Sequence, residues 1–572
     1  MRTLLFLLLP FGIFAQNPQV LTVFPKNLSS TATPSENIVI QLDAAIDPGS
    51  VSSASVRVFG SWSGPATGSF TLENGNTRIL FTPDQPFFAG ELVTVSINKK
   101  LHSPDGAAIK NGYFWQYYIK TAPGSFKQKI VDTIPVSLPS EGPTWFSGAH
   151  AGDLNNDGHS DMTVLITSGI RVLLNNGTGQ FPGINSSISI NAGFWNVYGA
   201  GDFDNDGKID LVASTSYETY ILFGDGMGGF SHIDKFISVG DPAMVGDFDF
   251  DGDDDILTTQ DFGYTLTRLE NQGNGIFTDE TSISLVYPAT ALAIADANND
   301  GIADFFLGQS YRLSLYLGDS LGNFHVSSIE YIDNFFGDCN SISIADYNGD
   351  GYADAAAAFP ADDMSVLILG DGHGGLFDSV ILPGSSEIYP QDIDAGDLDG
   401  DGDIDIVATC YDASYHSLFR NDGSGGFELV DHLFVFWPYR AVLHDRDGDG
   451  DLDITSTGSV ESALGEDNSL ILFENPGLVN TWEPVENVVK FKLFPNPAEG
   501  AVFAEVELKE STTARFDIFD FSGKKITSLQ TDVLPEGLSK VLIMNDINDV
   551  PMAYSVQLTL ANGQRSGEIL IR

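Results

Sequence analysis

Residues 397–427 read DLDGDGDIDIVATCYDASYHSLFRNDGSGGF. The stretch opens on an acidic loop, runs through apolar segments and ends on a Gly-rich turn followed by Phe. The opening pattern, Asp-x-Asp/Asn-x-Asp-Gly-x-x-Asp, occurs seven times, starting at Asp153, Asp202, Asp247, Asp296, Asp346, Asp397 and Asp445. Successive starts lie 49, 45, 49, 50, 51 and 48 residues apart. Short apolar segments flank each loop, and a Gly-rich turn before Phe follows the first six. About four short strands per 40–50 residues is the pattern of a β-propeller blade. Seven units predict seven blades. A solenoid would need capping repeats, and none is visible.

The array's ends predict how a ring would close. Gly124-Ser-Phe126 looks like the ending that the seventh unit lacks. The segment near Lys127–Pro135 is therefore expected to supply the outer strand of blade seven, which would remove an exposed sheet edge.

The loops predict metal sites. Carboxylates or amides at positions 1, 3, 5 and 9 converge hard oxygens on one point, and Gly at position 6 permits a positive-φ turn. The expected ligands are Asp153, Asn155, Asp157 and Asp161 in loop one, and Asp202, Asp204, Asp206 and Asp210 in loop two. Loop three offers Asp247, Asp249, Asp251 and Asp255, and loop four Asp296, Asn298, Asp300 and Asp304. Loop five offers Asp346, Asn348, Asp350 and Asp354, loop six Asp397, Asp399, Asp401 and Asp405, and loop seven Asp445, Asp447, Asp449 and Asp453. Such donors suit Ca²⁺ better than Mg²⁺, at an expected affinity of roughly 10⁻⁴–10⁻³ M. Solvated Asp-Gly turns would explain one copy but not seven. About seven structural Ca²⁺ are expected.

At these residues the array, 124–483, resembles the FG-GAP/VCBS repeat family, the calcium-binding propeller also found in integrin α-subunit heads. The resemblance implies calcium on one face and ligand binding on the other. If the first strand of each blade ends at its acidic loop, residues about eight earlier ring the opposite face. That offset gives Trp145, Phe194, Val239, Pro288, Asp338, Tyr389 and Trp437, with Trp195, Tyr439 and Arg440 close by. The aromatics fall in blades one, two, six and seven, which ring closure makes contiguous. Exposed aromatics suit sugar stacking or a protein hot spot.

The flanks are readable too. Met1–Arg2, an apolar run from Leu4 to Phe14 and Ala15 have the layout of a secretory signal peptide over 1–15. No later stretch holds the ~18 apolar residues of a membrane span. Residues 17–123, with Leu42-Asp-Ala-Ala-Ile-Asp-Pro48, Leu80-Phe-Thr-Pro83 and Pro104-Asp-Gly106, resemble a bacterial Ig-like domain, expected as a β-sandwich spacer. Residues 484–572 open on Leu493-Phe-Pro-Asn-Pro497, carry Ile518-Phe-Asp-Phe-Ser-Gly-Lys-Lys525 and end on Glu568-Ile-Leu-Ile-Arg572. They resemble the C-terminal sorting domain of the type IX secretion system of Bacteroidota; the family's Gly-x-Tyr stands here as Met552-Ala-Tyr554. That resemblance implies engagement of the type IX machinery, export across the outer membrane, and either surface anchoring or release. The expected fold is all-β: a seven-bladed propeller between an Ig-like sandwich and a small C-terminal sandwich.

With 27 Lys+Arg against 78 Asp+Glu, the net charge of −51 disfavours nucleic acid as a partner. Cys339 and Cys410 are the only cysteines, so no disulfide framework is expected. No His-Glu-x-x-His, Gly-x-Ser-x-Gly or phosphate loop is present. The reading is a secreted or cell-surface adhesion protein, stabilised by calcium, that binds a glycan or protein. A polysaccharide-active lyase or hydrolase built on the propeller is the alternative, disfavoured by only ten Lys/Arg in 124–483.

Overall fold

The computed structural model describes residues 17–136, 146–189, 196–214, 218–237, 239–331, 337–383, 389–459, 469–476, 488–494, 502–519, 525–544, 554–560 and 565–570. The expected signal peptide, Trp145, Phe194 and Trp195 lie outside them. The described residues are all-β, apart from two short 3₁₀ turns at Pro48–Ser50 and Pro360–Asp362. Among the described residues, no helix is long and apolar enough to cross a membrane. The chain divides into two compact units, one through Asn475 and one from Pro476.

The first unit begins with two four-stranded sheets. One holds Val20–Phe24, Ile38–Leu42, Arg78–Pro83 and Gly68–Glu73; the other holds Gly64–Pro65, Val56–Gly60, Leu92–Ile97 and Tyr113–Tyr118. Alternate residues point inward along Ile38–Leu42 and Val56–Gly60, as a sheet with one buried face requires. Ile40, Phe81, Val93 and Trp115 meet in the core between the sheets. Both cysteines are buried, and neither forms a disulfide.

Seven four-stranded antiparallel sheets follow. The first holds Phe146–Gly152, Asp161–Ile166, Gly169–Leu173 and Ser186–Ser189 in order. In each sheet the acidic loop joins the first strand to the second. Second strands such as Asp161–Ile166 and Asp405–Cys410 are buried throughout, because neighbouring sheets cover both faces. The outermost Ser186–Ser189 alternates between part-buried and exposed residues.

The seventh sheet takes its fourth strand from the start of the array. It holds Phe436–His444, Asp453–Ser459, Ser469–Glu474 and then Lys129–Pro135. The register pairs Ser469 with Pro135 and Leu470 with Ile134. Each first strand touches the first strand of the next sheet, and Phe436–His444 also touches Phe146–Gly152. This cyclic adjacency is consistent with a seven-bladed propeller.

The Ig-like sandwich is not a detached spacer. It lies against the acidic-loop end of the blades. Arg57 donates to the Gly252 carbonyl at 2.7 Å and to Asp254 at 2.8 Å. The Ser96 hydroxyl donates to Asp247 at 3.1 Å, and Asn27 donates to the Asp296 carbonyl at 3.2 Å. Thr121 reaches the Asp397 carbonyl, and the Trp62 carbonyl accepts the Asp153 amide at 2.7 Å.

The second unit has a three-stranded sheet (Val488–Phe494, Val502–Leu508, Gly537–Met544) and a four-stranded one (Lys525–Leu534, Thr512–Phe519, Tyr554–Leu560, Arg565–Leu570). Alternate residues along Val502–Leu508 are buried. Val502, Ala504, Val506 and Leu508 join Phe516 and Val556 in an apolar core of the unit's own.

Candidate metal loops and ligand-facing aromatics

The loops fold around their own carboxylates. Asp153 at position 1 accepts the amides of Asp157 at 3.0 Å and Gly158 at 2.9 Å. Asp296 and Asp346 do the same in loops four and five. Side chains at positions 3 and 5 accept the next amides along, as Asn298 and Asp300 do at 2.9 Å each. Position 6 glycine has φ between 80° and 102° in all seven loops, as the sequence predicts.

Position 4 is left-handed as well, a requirement that sequence reasoning missed. Asn156, Asn205 and Asn299 lie at φ 56–59°, and Gly349, Gly400 and Gly448 at 72–80°. These residue types tolerate that region. Phe250 of loop three is the exception, at φ 58° and 0% exposed. It packs under Gly112 of the Ig-like domain, where an added Cβ would run into its ring. Its carbonyl accepts the Lys99 amide at 3.0 Å.

Position 9 is buried in every loop. One oxygen of each carboxylate accepts an amide at the end of the third strand, from Asn175, Gly224, Asn271, Gly318, Gly370, Asn421 or Asn475, at 2.7–2.9 Å. Burial pushes Asp161, Asp210, Asp304 and Asp354 up to about 7. A divalent cation beside them would favour the ionised form again.

The donors suit calcium. Carboxylate oxygens at positions 1, 3 and 5 lie within 4.8 Å of one another in loops two, three and seven, as do positions 1, 3 and 9 in loop six. Loops one, four and five carry Asn at position 3. Buried Asp247 keeps one oxygen without a hydrogen-bond partner. An all-oxygen set with an unsatisfied buried carboxylate oxygen fits a hard cation. Glu474, which sequence reasoning missed, converges with Asp447 and Asp453. It sits on the third strand of blade seven, outside the repeat motif.

At the other end of the blades, Tyr389 and Trp437 are each 37% exposed. Tyr411 joins them, with ring centroids 6.3 Å from Tyr389 and 6.0 Å from Trp437. The Tyr411 amide donates to the Tyr389 carbonyl, and the Tyr389 amide to Asp363 at 2.9 Å. A register shift between Phe436 and Arg440 lifts Trp437 out of the ladder. Tyr439 is half-buried against the apolar layer around Val442 and Ile166. Arg440 lies 3.5 Å from Asp392 and lines a cavity of about 320 Å³ among the first strands, beneath Trp62 and Tyr118 of the Ig-like domain. A second aromatic group, Tyr287, Tyr311 and Tyr331, lies at the same end of blade four, with the Arg312 guanidinium 4.6 Å from the Tyr287 ring centre.

Two family models match this chain. Residues 153–213, 202–258, 247–307, 296–357 and 397–456 match the FG-GAP-like repeat. Residues 15–118 match the bacterial Ig-like domain. Among curated proteins, none matches this chain. A solved structure of an Agrocybe aegerita lectin, described as recognising non-reducing terminal N-acetylglucosamine, is similar at 16% identity and a TM-score of 0.37, over 72% of this chain and 95% of that one. The chain therefore carries FG-GAP-like repeats behind an N-terminal bacterial Ig-like domain.

Proposed function

We propose that this chain is a calcium-stabilised binding protein of the cell exterior, which recognises a glycan through the blade ends opposite its acidic loops. The observation that carries the reading is the Tyr389–Tyr411–Trp437 strip. Three rings from two adjacent blades stand 6.0 and 6.3 Å apart, and both terminal rings are exposed. Aromatic faces stack on the C–H faces of pyranose rings, and ring geometry fixed by backbone hydrogen bonds lowers the ordering cost of binding. The acidic-loop end is occupied by the Ig-like domain, which leaves the aromatic end for a ligand. Calcium at each loop would tie the first strand of a blade to its second. The apolar N-terminus and the sorting-domain resemblance of 484–572 support export by the type IX route.

A glycan array probed with the calcium-loaded chain tests this reading. Binding to a defined glycan set, reduced at least about tenfold by Tyr411→Ala and Trp437→Ala, is expected. Unchanged glycan binding in a folded double variant would remove the strip from the site. Capture of a protein ligand alone would replace the glycan by a protein.

A further inference from the structure

The blades share a register that is broken twice, each time by a buried arginine. Three residues before the amide that binds position 9, six blades carry Val172, Ile221, Leu315, Leu367, Leu418 and Leu472. Blade three carries Arg268, only 2% exposed along its side chain. Position 2 is Leu, Phe, Phe, Ala, Tyr and Leu in loops one to six, and Arg446 in loop seven, also 2% exposed.

Both guanidiniums reach the same point of the repeat from different places in the sequence. Arg268 donates to Asp249 at 3.0 Å and to Asp255 at 3.1 Å, which are positions 3 and 9 of loop three. Arg446 lies 3.4 Å from Asp453, position 9 of loop seven, and 2.6 Å from Glu474. Each also reaches the next blade's Gly-rich turn. A Cβ on Gly322 would fall 2.5 Å from Arg268 Nη1, and one on Gly179 would fall 2.6 Å from Arg446 Nη1. Those glycines hold equivalent places, two residues before Phe324 and Phe181.

In loops one, two, four, five and six, the second position-9 oxygen accepts the position-2 amide at 2.8–3.1 Å. In loop three that oxygen accepts from Arg268, and in loop seven it lies 3.4 Å from the Arg446 guanidinium without a hydrogen bond. A fixed positive charge beside the ligand oxygens opposes a dication and competes for its donors. The extra carboxylates of loop three do not offset this. Asp254 pairs with Arg57, and Asp253 accepts from Asn205 at 2.7 Å.

We propose that loops three and seven are held by their arginines and take calcium last. The chain then binds calcium in two classes: five loops tightly, and loops three and seven at least about tenfold more weakly. The inference rests on the calcium reading above and divides the seven sites by their chemistry. Its consequence is architectural. Loop three seats the Ig-like domain through Arg57, Ser96 and Phe250, and loop seven forms the ring's seam, where Asn175 of blade one donates to the Arg446 carbonyl at 2.7 Å. Both junctions keep their shape when calcium is scarce.

Calorimetric titration of the metal-free full chain with calcium tests this. Five tight and two weak sites are expected. Arg268→Leu and Arg446→Leu, which restore the apolar residue of the other blades, should each give six tight sites. Seven equivalent sites in the unaltered chain would overturn the proposal while leaving the calcium reading intact. Five tight sites in a folded Arg268→Leu variant would also overturn it. Should either variant not fold, crystals of the unaltered chain at limiting strontium decide: anomalous signal at loops three and seven as strong as elsewhere refutes it. No binding at any loop overturns both readings.

Discussion

Phe250→Asn sets two physical rules against each other. Asparagine is what loops one, two and four use at position 4, and a bulky side chain at φ 58° is strained. Relief of that strain favours the variant by ~1–2 kcal/mol. Against it stands packing. Phe250 is fully buried, touches the core that includes Phe114 of the Ig-like domain, and fills the space over Gly112. Truncating a buried Phe costs ~3–5 kcal/mol. The expected net is a loss of about 1–4 kcal/mol, larger if the new amide finds no partner. Urea unfolding of the intact chain in saturating calcium, followed by circular dichroism, measures it. Hydrogen exchange at the Lys99 amide, bonded to the Phe250 carbonyl, reports the same interface locally. A second substitution sharpens the test. Gly112→Ala places its methyl against the Phe250 ring, so its cost should fall in the Phe250→Asn background. An unfolding midpoint equal to or above that of the unaltered chain would refute the reasoning, because the local loop rule would then have outweighed the packing of Phe250 against the Ig-like domain.

Three further outcomes are expected. Excess EDTA should lower the melting temperature of the chain, since metal bound only to the folded state stabilises by mass action; an unchanged transition in demonstrably metal-free protein would contradict the calcium assignment. His416 bridges Thr409 at 3.0 Å and Ser456 of blade seven at 2.7 Å, and burial holds it down to about 3. The unfolded chain binds that proton from about pH 6.5, so stability should fall with acidification below 6.5, by up to ~1.4 kcal/mol per pH unit. His416→Gln should remove that part of the slope, and an identical slope would show that the imidazole is not the cause. Deleting 484–572 should keep the protein inside the cell envelope, and undiminished appearance in the medium or on the surface would count against a sorting role.

What the sequence disclosed was whatever the repeat made periodic. The acidic loops, their glycines and the displaced Gly124–Phe126 ending sufficed to place Lys129–Pro135 in blade seven, because a missing strand leaves a visible gap in a regular array. The seat of the Ig-like domain was not legible. Its hydrogen bonds run largely to backbone carbonyls, such as those of Gly252, Asp296 and Asp397, which any residue could supply. The aromatic face was half legible. Counting back eight residues found Tyr389 and Trp437, but Tyr411 lies between second and third strands, where that count does not reach. Tyr439 turned inward because the register shift after Phe436 breaks the alternation on which the count depends.

A ring of equivalent blades has no inherent place for a non-repeated neighbour; loops one, four and six meet the Ig-like domain through backbone groups, and loop three adds side-chain departures from the repeat. The departures fall at the two junctions. Loop three, against the Ig-like domain, carries Phe250 in place of Asn or Gly and Asp254 as the partner of Arg57, and its blade carries Arg268 in place of an aliphatic residue. Loop seven, where the first and last blades meet, carries Arg446 in place of an apolar residue, and its guanidinium reaches the Gly179 carbonyl of blade one. Buried charge is costly unless paired, and each arginine meets carboxylates at 2.6–3.4 Å. Replacing Phe250 by Asn and both arginines by Leu would make the ring more regular. It would also strip the seam of its arginine and loop three of its buried aromatic, leaving Asp254 with Arg57 as the departure that still meets the Ig-like domain.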